Sequence, residues 1–273
     1  MRVWNRRQAA LVFFALASAV LLAVALCGPL LAGRAAETDF SRKNLPPCLA
    51  YPFGTDWLGR DMLARTLAGL SLSIRLGGLT AGVSALAALT LGTAAALWRR
   101  ADCAVSWLID LVMGIPHILL VMLIALAWGR GFAGVTAGVA LSHWPVLARV
   151  IRGEILQLRQ APYFLAAEKL GVSWGQMMRN HLLPHMLPQF FVGLVLLFPH
   201  AILHEASITF LGFGLPPEQP AIGMILSESM GYLAAGRWWL ALFPGGALVL
   251  VVLLFAGVGE RLRRLLDPAS IHE

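Results

Sequence analysis

Long apolar runs, broken by short polar segments, set the pattern of this chain. Six such runs lie near residues 9–32, 72–98, 104–128, 131–151, 186–210 and 238–258. A membrane-crossing helix needs roughly 20 mainly apolar residues. The pattern therefore predicts an all-α integral membrane protein with six transmembrane helices. The first run follows Arg2, Arg6 and Arg7. It exceeds the roughly 7–15 apolar residues of a secretory signal, which favours a retained anchor over a cleaved leader. Glycine and proline punctuate the runs at Gly77-Gly78, Gly92, Pro116, Gly134, Gly138, Pro145, Gly193 and Pro199. Small residues let helices approach in lipid, and neighbours can satisfy carbonyls freed by proline.

Composition agrees. Hydrophobic residues make up 59% and charged residues 13%, against about 25% charged in a soluble domain. A net charge of +7 suggests nucleic acid in a soluble protein. Here the basic residues flank the apolar runs, which points to membrane orientation and to no nucleic-acid partner. With both termini in the cytoplasm, thirteen basic residues fall on inside segments and eight on outside ones. The outside segments are also longer, so the bias favours that orientation. It places the polar 152–185 loop in the cytosol. Cys27, Cys48 and Cys103 are too few and too scattered for a disulfide framework or a zinc site. There is no nucleophile–base pair, phosphate loop or hydrolase motif. The tails, 1–8 and 259–273, offer no output domain. The expectation is neither an enzyme nor a receptor, with no cofactor.

The 152–185 loop carries the strongest motif. Pro162 suits the start of a short helix and Gly171 its end. Between them Leu165, Ala166 and Ala167 form a small, apolar face, edged by Glu168 and Lys169. Such a face fits a groove on a partner, or lies on the membrane as an interfacial helix. Ala166-Ala167, Gly171, His181 and Leu183-Pro184 keep a fixed register. That register resembles the cytoplasmic coupling loop of importer-type ABC permeases, with Leu165 in place of the usual acid. The resemblance favours docking onto an ATPase.

A second motif runs Gly54-Thr55-Asp56-Trp57-Leu58-Gly59-Arg60-Asp61, then Arg65, Gly69, Ser73 and Gly77. Asp56, Arg60 and Asp61 suit a local ion-pair and turn network closing the outer mouth of the bundle, a structural role. The segment resembles the C-type permeases of the dipeptide/oligopeptide/nickel ABC family. So do Asp102, Asp110 and Pro116, the Ser207–Gly214 turn, the run from Trp238 to Gly245, and the closing Gly259-Glu260-Arg261 and Leu266-Asp267-Pro268. The resemblance implies a type I ABC importer permease (MetI-like) fold in the bacterial cytoplasmic membrane. Residues 1–70 would form an anchor span with an extracytoplasmic segment, and 71–273 a five-helix core. A second, homologous but non-identical permease would complete a heterodimer. Two ATP-binding cassette ATPases and an extracytoplasmic solute-binding protein would complete the importer.

His200 and His204 are four residues apart, with Glu205 adjacent. On a helix, positions i and i+4 share a face. Ionisable groups inside a membrane are costly and usually face a bundle interior or a water path. The three residues are therefore expected to line the translocation path. Two imidazoles on one face make a transient handle for a transition metal, or a packed pair bonded across the bundle. The same His-x3-His, with Ser142-His143-Trp144 and Leu158-Arg159-Gln160, resembles the nickel branch. The expected cargo is nickel or a related metal, free or chelated; the alternative is a di- or oligopeptide.

Overall fold

The computed structural model describes residues 6–266, and all of their long elements are helical. Helix α1 spans Arg6–Ala36 and is apolar on all sides. Leu11, Leu16, Leu22, Leu26 and Leu30 are exposed along it, as expected of a helix facing lipid. Residues 37–61 fold into a compact cap. Helix α2, Met62–Leu97, then starts with the Asp61 carboxylate accepting from the amides of Leu63 and Ala64. That N-cap satisfies donors that a helix start leaves free. α2 thus begins ten residues before the expected span, and the boundary expected at residue 70 falls inside it.

The third expected span, 104–128, is not one helix. α3 (Arg99–Gly114) and α4 (His117–Trp128) meet at a 99° bend. Ile115, at the break, is extended, as a residue preceding proline prefers. Pro116 then leads into α4. Next come α5 (Phe132–Arg159), α6 (Pro162–Lys169) and a short α7 (Trp174–Met177). A π-turn over Met178–Leu182 runs into α8, Leu183–Phe210. The chain closes with α9 (Ile222–Leu233) and α10 (Trp239–Leu266). Pro145, Pro188, Pro199 and Pro244 lie inside continuous helices.

Contacts fix the direction of each crossing. The salt bridge Arg34–Asp61 (2.9 Å) joins the end of α1 to the start of α2. The Arg159 guanidinium donates to the Ala96 carbonyl (2.9 Å), placing the ends of α2 and α5 side by side. Neighbours running the same way need a return between them, so the bent pair α3–α4 carries the chain back across. At the other face the Gly131 amide donates to the Gly214 carbonyl (3.3 Å), joining the start of α5 to the turn after α8. Arg261 lies over the Phe13 ring (3.6 Å), bringing the two ends of the described chain to one face. This loop face also carries α6 and α7; the opposite, cap face carries residues 37–61 and α9.

Close packing depends on small residues along α2. A Cβ on Gly28 would lie 2.1 Å from the Cβ of Ser71, so α1 can approach α2 this closely only through glycine. Near the loop face, Ala85, Ala88, Ala95 and Ala96 of α2 pack with Trp144, Ala148, Ile151 and Ile155 of α5. Ser84 adds a hydrogen bond across them, donating to the Ala140 carbonyl (2.8 Å).

Candidate functional site

Three groupings of side chains stand out, at the loop face, at the cap face and among the helices. At the loop face Pro162 occupies the first turn of α6, where its missing amide hydrogen is not needed. At the other end the Gly171 amide donates to the Glu168 carbonyl (3.0 Å) and the Val172 amide to the Ala167 carbonyl (3.1 Å). This double bond pattern is a Schellman cap. It holds Gly171 at φ +76°, where a Cβ is disfavoured. Nothing lies within 4 Å of where that Cβ would sit, so the constraint is conformational rather than steric.

Phe164 anchors α6, buried among core side chains that include Ile151, Ile155 and Leu182. The rest of the helix points outward. Tyr163, Leu165, Ala166 and Glu168 are exposed, Ala167 is half-buried, and Leu170 is 83% exposed. The Tyr163 and His181 rings lie 6.0 Å apart. The spacing between Gly171 and Pro184 is thus the length of chain that returns to α6 and enters α8. Pro184, in the first turn of α8, is exposed.

At the cap face Asp56 is fully buried and Arg65 is 2% exposed. One Asp56 carboxylate oxygen accepts from Arg60 Nε (2.6 Å) and Arg65 Nη1 (2.8 Å). The other accepts from the amides of Leu58 and Arg60. Arg65 also donates to Glu228 on α9 (2.9 Å). Trp57 stacks on Tyr232 at 4.7 Å, beneath both arginines. Asp61 stands apart from this network. It caps α2 and pairs with Arg34. At the membrane-distal surface the Asp39 carboxyl is held below its ordinary pKa, first by the Ser41 hydroxyl and then by the Ser41 amide. The sequence motif contained Arg65 but gave it no role. Nothing near it in the chain signals Glu228, 163 positions away.

On α8 the structure shows what Glu205 and His204 meet. Glu205 is fully buried, accepting from Ser73 Oγ (2.6 Å) and Thr209 Oγ1 (3.0 Å). It ties α8 to α2. The hydrogen bond between His200 and His204 runs from ring to backbone. The His204 Nδ1 donates to the His200 carbonyl (2.7 Å), and the His204 ring instead meets His117 and His143. Ring centroids in this trio are 4.4–4.9 Å apart, all edge-on. The i, i+4 rule identified a shared helical face but not which neighbouring helices that face meets. Ser142-His143 signalled one partner; nothing in the sequence signalled His117.

Residues 88–272 match the family model described as the binding-protein-dependent transport system inner membrane component. The chain belongs to this family. Three relatives extend the match across the N-terminal half. A putative peptide transport system permease protein of Brucella suis biovar 1 (strain 1330) is 35% identical over 96% of this chain and 88% of its own length. The dipeptide transport system permease protein DppC of Bacillus subtilis (strain 168) is 30% identical over 91% of this chain and 78% of its own. A putative peptide permease of Brucella ovis is 33% identical over 86% and 78%. This inner membrane component is a multi-pass permease of ABC transporters and not an enzyme. Membership implies ATPase and binding-protein partners.

Proposed function

We propose that this chain is one of two non-identical permease subunits in an importer for a di- or oligopeptide. The observation that carries the substrate class is the similarity, at 30–35% identity over most of the chain, to permeases named for peptide or dipeptide transport. The nickel reading drew on the His200–His204 spacing, Ser142-His143-Trp144 and Leu158-Arg159-Gln160; the names of the relatives favour the peptide alternative instead. The loop face lies in the cytoplasm, and α6 enters a groove on an ATPase through Leu165, Ala166, Ala167 and Glu168. Gly171 and Pro184 hold that helix in register. The cap face receives the binding protein, and its buried ion pairs keep α9 and the 37–61 segment together while the crossings rearrange. The anchor α1 flanks the five remaining crossings, which form the permease core.

The test is uptake of a labelled dipeptide, and of radioactive nickel in parallel, by cells with and without the intact gene. Loss of dipeptide uptake on deletion, restored by the gene, is the expected result. Loss of nickel uptake alone would overturn the peptide assignment.

A further inference from the structure

Where the α3–α4 bend meets α5 and α8, three histidines from three helices converge. His117 opens α4, His143 sits mid-way along α5, and His204 lies toward the cap-face end of α8. One ring nitrogen from each lies within 4.8 Å of the other two. His143 is only 8% exposed.

The hydrogen bonds decide which nitrogens are available. His143 Nδ1 lies 2.8 Å from the Val139 carbonyl, and His204 Nδ1 lies 2.7 Å from the His200 carbonyl. A carbonyl only accepts, so each Nδ1 carries the proton. Each Nε2 is then left with an unprotonated lone pair. This is the outer-shell arrangement that fixes a metal-binding tautomer and orients the ring. The Nε2 atoms of His143 and His117 are both buried and have no hydrogen-bond partner. A buried acceptor without a donor costs roughly 1–3 kcal/mol, more where no water reaches. His143 Nε2 is such an acceptor, and His117 Nε2 is a second buried ring nitrogen without a partner; beside a third imidazole they are poor packing but a good ligand set.

We infer that His117, His143 and His204 form a binding site for a late first-row divalent cation such as zinc. Three neutral imidazoles with open further positions are a known way to hold such an ion. The nitrogens must close by a side-chain adjustment to reach zinc–nitrogen distances of about 2.0–2.1 Å. A bound ion would cross-link α4, α5 and α8. Glu205 and the His200 ring do not belong to the ligand set. The inference is independent of the cargo: a resident ion and an ion in transit would use the same three nitrogens.

The assembled transporter in lipid nanodiscs, stripped with a chelator and dialysed against micromolar zinc, should retain one zinc per copy of this chain by elemental analysis. Cobalt in its place should give intense visible ligand-field bands of a four- or five-coordinate nitrogen site, a readout that needs no variant. His143→Gln and His117→Gln should each weaken zinc binding by about tenfold or more. His200→Gln keeps the backbone carbonyl that His204 uses and should bind as the wild type does. Co-purification with the ATPases checks that each variant is assembled. A wild-type complex without stoichiometric zinc and without cobalt bands would overturn the site. So would full zinc retention in both the His117 and His143 variants. Zinc held through ATP turnover identifies a resident ion; ATP-dependent release identifies one in transit.

Discussion

At the cap face, Arg65 and Asp56 are shut away from solvent and paired with each other, and Arg65 also reaches Glu228 on a distant part of the chain. At the loop face, α6 is held by one buried aromatic, Phe164, and offers most of its remaining side chains to solvent. Both regions are short, polar interruptions of an apolar chain, yet one is satisfied internally and the other is not. A segment with few buried contacts opens or shifts at low cost, and an apolar face left uncovered seeks a partner. The contrast suits a machine that is driven from one end and keeps its shape at the other.

Three changes would break or sharpen that contrast. The largest effect is expected from Arg65→Met, which leaves Arg60 as the one cation shared by Asp56 (2.6 Å) and Glu228 (3.6 Å). Removing one member of a buried ion pair costs about 3–5 kcal/mol. The variant should lose most of its folded yield in detergent, measured by fluorescence-detected gel filtration after heating. A melting profile matching the wild type would show that the cap is not held by charge.

At the loop face the same severity should affect transport and not folding. Gly171→Asp forces a side chain into the left-handed region, at about 1–2 kcal/mol, and Ala167→Arg crowds the outward helix. Both variants should insert and melt normally but lose uptake while ATP hydrolysis becomes uncoupled from it. Normal uptake by both, with normal ATPase co-purification, would sink the coupling role. The third test should leave function intact. Single cysteines at Ser41 and Ser173, both exposed, in a background lacking Cys27, Cys48 and Cys103, should label from opposite sides of the membrane. Labelling from the same side would contradict the crossing scheme.

Much of the architecture was legible because lipid imposes one dominant signal, apolar length. The runs at 9–32, 131–151, 186–210 and 238–258 match α1, α5, α8 and α10, two of them starting one residue early. The signal failed where direction changes without a change in polarity. Leu111-Val112-Met113 before Pro116 and Ile118–Val121 after it are both apolar, so a hydropathy window passes through the bend. It also missed the first turns of α2, where Arg65 is polar but buried. The cap-forming end of Gly171 was readable because a single residue type carries it. The Arg65–Glu228 contact and the histidine trio were not, since each joins positions far apart in sequence and depends on how helices pack.

The bent pair has a consequence for biosynthesis. Twelve residues make α4 about 18 Å long, well short of the roughly 30 Å hydrocarbon layer. α3 must complete the crossing while carrying Asp102 and Asp110. Their partners are Arg152 and Arg149, at 2.6–2.7 Å and 2.6 Å, and they are synthesised 50 and 39 positions later. The carboxylates of α3 therefore have no cation partner on α5 until Arg149 and Arg152 have been made.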